Sequence, residues 1–233
     1  MLAVARNRRA TDPAVASDYD SAAGHVVLGC ALWALVHSAL ASKQAKDLAR
    51  RLAGPRYRDG LYRLAYNAQS VALLAWAARW FLRLPDHDLY TVRVPWYWLF
   101  RGAQAASLGV LLSGVRVIGV LDFAGITRLQ GFLGGLDPGP EPEAQGPPIN
   151  SANEVVKAGA FRFTRHPGNL GALGFFLFLP RMTANRAVLT ALVAVYVVLG
   201  SLHEEYRLRA AYGAAYERYR RSVPFLIPRP PQE

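Results

Sequence analysis

The sequence predicts an all-α, integral-membrane helical bundle of about five transmembrane helices followed by a C-terminal interfacial amphipathic helix. Three observations carry this reading. Of 233 residues, 52% are hydrophobic and only 18% are charged. The apolar residues fall in long runs rather than in alternating or scattered positions. The formal net charge of +11 is concentrated between those runs, where a soluble basic domain would spread it. So high an apolar content excludes a disordered chain, and a single cysteine, Cys30, excludes a disulfide scaffold.

A membrane helix needs about 20 mostly apolar residues. Residues 22–41 qualify, interrupted by His25, His37 and Ser38. Further candidates are 64–84 and 95–121. The last pair, 168–180 and 187–202, is shorter and is separated by a tight turn, so it reads as a helical hairpin. The first span lacks a basic n-region and a small-residue cleavage site, so it does not read as a signal peptide. Residues 1–20 are polar and read as a loose N-terminal tail, with one membrane domain over 21–233. Residues 133–152 are rich in Pro and Gly, too polar to cross a bilayer, and read as a disordered loop or a functional lid.

Charge sets the orientation. Lys43, Lys46, Arg50, Arg51, Arg56, Arg58 and Arg63 give loop 42–63 seven positive residues, segment 122–166 carries four, and the tail after 203 carries six. With five spans these regions share one side and hold 17 of the 27 Lys and Arg residues. The positive-inside rule puts that side in the cytoplasm, the N-terminus outside, and the protein in a bacterial inner membrane. The basic balance is thus an orientation signal, and nucleic acid is not the expected partner.

Two polar clusters lie on the cytoplasmic side. The first, Arg165-His166-Pro167-Gly168-Asn169-Leu170-Gly171, opens the fourth span. Pro167 suits the first turn of a helix, and the free N–H groups of such a turn favour anionic groups such as a carboxylate. The bland alternative is a basic boundary anchor that merely starts a helix. The second cluster, His203-Glu204-Glu205, follows the fifth span. Paired carboxylates at the end of an apolar helix are costly unless compensated, and either Arg165 or a cationic ligand would compensate them. Leu208, Tyr212, Tyr216 and Tyr219 recur at helical spacing between arginines, so 203–221 reads as an amphipathic helix at the membrane surface. No second histidine completes a zinc motif after His203.

Arg-His-Pro with Gly171 four residues beyond Pro167, a hairpin, Glu204-Glu205-x-x-Leu208, Tyr212-Gly213, Tyr216-x-x-Tyr219 and Val223-Pro224 together resemble the integral-membrane methyltransferase superfamily, which includes isoprenylcysteine carboxyl methyltransferases, over about 155–228. His37-Ser38, Ala41, Lys46, Leu64-Ala65-Tyr66-Asn67, Asp122-Phe123 and Arg128-Leu129-Gln130 are similar to the NnrU-type, methanethiol S-methyltransferase-like branch.

The resemblance implies S-adenosylmethionine as methyl donor, held by Arg165, His166, Pro167, Asn169, Leu170, Gly171, Glu204, Glu205 and Tyr216. It also implies a small or lipophilic methyl acceptor. His37 and Asn67 are candidates for an acceptor route, or for a bond to each other between helices. Two departures bear on the acceptor. Asn169 stands where the superfamily commonly has an aromatic residue. Gly200 stands where the carboxylate-methylating enzymes have an arginine, which points to a thiol or another compact nucleophile. A thiol ionises readily enough (pKa ~8.5 for cysteine) that positioning alone, without a dedicated base, is the expected mode of catalysis. The competing reading is a haem-binding NnrU-type protein of redox or isomerase function, with His37, His166 and His203 as possible axial ligands.

Overall fold

A computed structural model of the chain describes residues 2–4, 13–137, 139–140, 142 and 144–228. Residues 5–12 of the expected N-terminal tail, and 138, 141 and 143 of the Pro/Gly-rich loop, lie outside them. Among the described residues the chain is mostly helical: α1 (Pro13–Ala41), α2 (Lys43–Ala53), α3 (Pro55–Phe81), α4 (Trp96–Ile118), α5 (Val120–Ala124), α6 (Ile126–Leu133), α7 (Pro167–Leu177), α8 (Ala184–Tyr212) and α9 (Ala214–Ser222). Three short strands complete it, β1 (Leu2–Val4), β2 (Asp88–Val92) and β3 (Arg181–Thr183).

The strands correct the all-α expectation. They form one antiparallel sheet in the order β1-β2-β3, pairing Ala3 with Thr91 and Tyr90 with Met182, with a bulge between Asp88 and Tyr90. Asp-Leu-Tyr-Thr-Val in β2 alternates half-buried and exposed positions with strand-favouring residues. The segment is only five residues long, too short to stand out between apolar spans. The expected turn at 181–186 is therefore a strand that feeds straight into α8, whose start is capped by the Thr183 hydroxyl accepting from the Arg186 N–H at 3.3 Å. The N-terminal tail contributes the edge strand, and α1 already begins at Pro13.

The sheet marks one end of the molecule. The C-termini of α3 and α7 and the N-termini of α4 and α8 meet there, and the Tyr19 ring of α1 lies 4.6 Å from His87. From that end α1, α4 and α8 run to the opposite end, while α3 and α7 run back. α7, with eleven residues, is shorter than the span expected over 168–180 and than the ~20 residues that a crossing helix needs. By length and composition, α1 over Asp18–Ala41 and α8 are apolar enough to cross a membrane. Both keep their apolar surface outward: only 6% of the most apolar stretch of α1 and 17% of that of α8 is buried within the chain. The core helix of a soluble protein would bury most of such a stretch.

Leu28, Leu35, Val71, Leu112 and Leu199 are exposed, whereas Arg58, Gln104, Thr164, His166, Asn185, Ser201 and Glu205 are buried. The interior is held by polar ties. Gln104 Nε2 donates to the Phe175 carbonyl at 3.1 Å, Asn169 Nδ2 to Ser201 Oγ at 2.8 Å, and Asn185 Nδ2 to the Pro85 carbonyl at 2.8 Å. At the corner between α2 and α3, Asp59 takes Arg58 at 2.6 Å and Arg50 at 3.1 Å.

The tightest seam joins α4 to α7. A Cβ at Gly171 would run into the Ser107 carbonyl and come within 2.7 Å of Leu111, and one at Gly114 would lie 2.7 Å from the Pro167 ring. Small residues let helix backbones approach where apolar exteriors give little drive to associate.

The C-terminal region also departs from expectation. α8 continues without a break through His203-Glu204-Glu205 to Tyr212, and the chain turns at Gly213, whose φ of 54° suits glycine. α9 does not lie free on a surface. Tyr216 and Tyr219 are buried with Ala144, Val155, Leu208 and Val223. The described part of the Pro/Gly-rich loop packs on this cluster, leaving no room for a side chain at Gly146 beside Leu208. Replacing Gly171 with Ala should destabilise the fold by about 1–3 kcal/mol through overpacking of the α4–α7 seam, read as a lowered unfolding temperature in detergent, whereas Gly168→Ala, with open space around it, should leave that temperature unchanged.

Candidate active site

At the end opposite the sheet, the His-Pro and Glu-Glu clusters meet. His166 is the N-cap of α7, and Glu204 and Glu205 ride on the last turns of α8. The His166 ring is buried between them, with Nδ1 3.2 Å from Glu204 Oε2 and Nε2 3.4 Å from Glu205 Oε1. Arg165 Nε lies 2.6 Å from Glu205 Oε1, and Arg220 Nε and an Arg209 guanidinium nitrogen lie 3.5 and 3.7 Å from Oε2. Arg165 also donates to the carbonyls of Arg220 and Val223, each at 3.0 Å, while its own N–H donates to the Pro224 carbonyl at 3.0 Å. Thr164 Oγ1 accepts the His166 N–H at 3.3 Å and donates to the Phe225 carbonyl at 3.4 Å. The segment 223–225 thereby straps the beginning of α7 to the end of α8.

The electrostatics follow from this arrangement. Burial opposes charging His166, but its hydrogen bonds to Glu204 and Glu205 outweigh that and hold its pKa above the usual value of 6.5. Burial pushes the Tyr216 and Tyr219 hydroxyls well above the ordinary tyrosine value, with the neighbouring carboxylates adding to it. Tyr219 donates to the Phe161 carbonyl at 2.9 Å, whereas the buried Tyr216 hydroxyl has no hydrogen-bond partner among the described residues.

A cavity of about 430 Å³ opens beside this centre, within the usual range for a small-molecule site of about 300–1,000 Å³. On one side it is lined by Arg165, His166, Pro167, Gly168, Asn169 and Glu204, and on the other by His37, Tyr62, Arg63, Tyr66 and Asn67, with Lys46 and Arg207 completing the wall. The sequence-predicted residues therefore divide. Arg165, His166, Pro167, Asn169, Glu204, His37 and Asn67 reach one cavity. Gly171 sits in the α4–α7 seam, Glu205 and Tyr216 are buried behind the cavity wall, and Leu170 follows one turn into α7, its N–H donating to the His166 carbonyl at 2.9 Å.

His37 and Asn67 do not bond to each other. Asn67 Nδ2 donates to the carbonyls of Phe123 at 2.8 Å and Ala124 at 3.2 Å, pinning α5 to α3. His37 Nε2 lies 2.6 Å from the Tyr66 hydroxyl, and Nδ1 3.0 Å from Ser70 Oγ. With both ring nitrogens of His37 and of His166 engaged by side chains, the haem alternative draws no support from either. Tyr66 and Arg207 were not picked out individually from the sequence, although a signal was present. Tyr62, Tyr66 and Ser70 fall at four-residue steps on one face of α3, and Arg207 lies three residues after Glu204 on α8.

A polar centre at one end of an apolar helical bundle, opening on a half-open cavity with both anionic and cationic walls, suits a charged small molecule. Comparison with known proteins narrows the class. The chain is 27% identical over 200 residues to the methanethiol S-methyltransferase of Crocosphaera subtropica, covering 84% of this chain and 71% of that protein. It is 25% identical over 204 residues to methanethiol S-methyltransferase 1 of Bradyrhizobium diazoefficiens, covering 85% of this chain and 64% of that one. Methanethiol S-methyltransferase 2 of the same organism is 39% identical over 69 residues, 30% of this chain and 27% of that relative. No family model and no solved structure matches. The methyltransferase resemblance read from the motifs is borne out, and these relatives carry it over about 85% of the chain.

The two glutamates should behave differently. Glu205→Gln strips a buried carboxylate from Arg165, Arg220 and His166 and should cost about 3–5 kcal/mol of stability, seen as a large fall in unfolding temperature. The raised His166 pKa gives a second expectation. Its contribution to stability is fully present below the ordinary histidine value and is lost as pH rises through the higher folded-state value. The unfolding temperature should fall as pH is raised above neutrality, and His166→Gln should flatten that dependence.

Proposed function

We propose that the chain is an S-adenosylmethionine-dependent integral-membrane methyltransferase that methylates the sulfur of a small or lipophilic thiol. The observation that carries this reading is the single cavity joining the His166–Glu204 side to the His37–Tyr66 side. The donor set fits the methyl donor's charges. Glu204 faces the cavity with its side chain 30% exposed and can hold a cationic end, while the first turn of α7 presents amide N–H groups at Gly168, where even an added Cβ would meet open space. When bound, S-adenosylmethionine supplies the electrophilic methyl group. Glu204 and the α7 amides orient it, and the cavity walls limit water, which favours a transfer in which opposite charges neutralise. The relatives bear the name methanethiol S-methyltransferase, and methanethiol is accordingly the first acceptor to try. The chain spans 71% and 64% of the two longer-matching relatives.

The same reading sets α1, α3, α4 and α8 across the bilayer, with the eleven-residue α7 packed along α4, the sheet outside and the site at the cytoplasmic boundary, the side on which the sequence concentrates Lys and Arg. Purified protein in nanodiscs, given methyl-labelled S-adenosylmethionine with methanethiol, longer thiols, an amine and a carboxylate, should place label on thiols. Transfer to none of the thiols would overturn the assignment. Glu204→Gln should raise the KM for the methyl donor by about 10- to 100-fold, the loss of one charge-assisted contact, without the drop in unfolding temperature expected for Glu205→Gln.

A further inference from the structure

Opposite Glu204, the cavity wall carries a side-chain pair that the binding of a methyl donor does not use. His37 of α1 is stacked on Trp33, ring centroids 4.6 Å apart and planes 20° from parallel, with the Tyr196 ring edge-on at 6.4 Å. Its Nδ1 lies 3.0 Å from Ser70 Oγ and 3.2 Å from the Tyr66 hydroxyl, which is closer to Nε2, at 2.6 Å. The tautomer with the proton on Nδ1 satisfies both contacts: Nδ1–H donates to Ser70, and Nε2 accepts the Tyr66 O–H. His37 and Tyr66 are both half-buried and both line the 430 Å³ cavity. A hydrogen bond that served only to tie α1 to α3 would not need to stand on the wall of the reaction chamber. The other groups facing the pair are Tyr62 and Arg63 of α3 and Tyr196 and Arg207 of α8. The cations among them favour an anion in the cavity over a neutral thiol.

We propose that Tyr66 and His37 form a proton relay that ionises the acceptor thiol, with Tyr66 touching the substrate sulfur and His37 as the final base. This deepens the thiol-methylation reading and rests on it, and it replaces the expectation of catalysis by positioning alone. The S–H bond breaks, and its proton passes to the Tyr66 oxygen as the Tyr66 proton passes to His37 Nε2. The electron pair left on sulfur forms the new bond to the methyl carbon, and the electrons of the breaking methyl–sulfonium bond return to the donor's sulfur. The thiol becomes a thioether, the sulfonium a neutral sulfide, and one proton remains on His37. Arg207 and Arg63 hold the transient thiolate by charge, so Tyr66 acts on the reacting atom and His37 acts through it.

The test compares two thiols. With methanethiol, a weak acid, Tyr66→Phe and His37→Gln should each lower kcat by about 100-fold or more, the usual scale for losing a general base. Both variants should hold within about fivefold of wild type on an aromatic thiol that is already ionised at the assay pH. Their methanethiol rate should climb with pH as the free thiol ionises, where the wild-type rate is level. Calorimetric binding of S-adenosylhomocysteine should be unchanged in both, which reports an intact fold and donor site. Equal losses on both thiols, or no loss on methanethiol, would overturn the relay. Wild-type protein inactive on every thiol would instead overturn the function on which the relay rests.

Discussion

The Glu205 carboxylate is the fixed point of the molecule. It is buried at the end of a long apolar helix and gathers Arg165 and His166 from the start of α7, Arg209 from α8, and Arg220 from α9. A buried carboxylate is tolerated only where charge and hydrogen bonds surround it. That requirement fixes where α7 begins, how α9 folds back, and where the segment after Val223 runs. Glu204, one residue earlier in the chain, turns from the same helix toward the cavity. One carboxylate organises the site and the other is left to serve it.

This division was only half legible in the sequence. The cost of placing two acids at a helix end calls for a compensating charge, with Arg165 or a cationic ligand as the candidates, and the family resemblance pairs Arg-His-Pro with Glu-Glu. Which acid does which task did not follow, because it depends on the 100° turn between neighbouring residues of α8 and on what packs behind each. The long helices were legible from their apolar runs, with their polar ends misjudged. α3 begins at Pro55, where Arg58 and Asp59 satisfy each other inside the fold. The spacing of charged residues alone gives no sign of such pairing. The sheet was missed because a five-residue strand between spans carries too little periodicity to register. The spacing of the tyrosines in α9 predicts a helix at the membrane surface, because helical spacing specifies a face without saying what covers it.

Ion pairs, amide ties and glycine seams share the interior with an apolar cluster around Tyr216, while many leucines and valines face outward. In such a chain, burial of apolar surface between helices contributes less to cohesion, and each buried polar contact carries a larger share of it. The α4–α7 seam and the Asn169–Ser201 and Gln104–Phe175 ties give the site a stiff frame. Its two walls nevertheless come from different parts of the chain: one from α7 and α8, the other from α1 and α3.

The small sheet gives this arrangement a mechanical consequence. Strand pairing joins the connections α3–α4 and α7–α8 at one end, while Glu205 ties α7, α8 and α9 together at the other, so relative movement at the site is movement of the α1–α3 wall against that block. For α1, 29 residues long, a swing of about 5° about one end displaces the far end by about 4 Å, given a rise of about 1.5 Å per residue. That is about the thickness of a methyl group. Three short strands remote from any chemistry thus determine which end of the bundle behaves as a jaw.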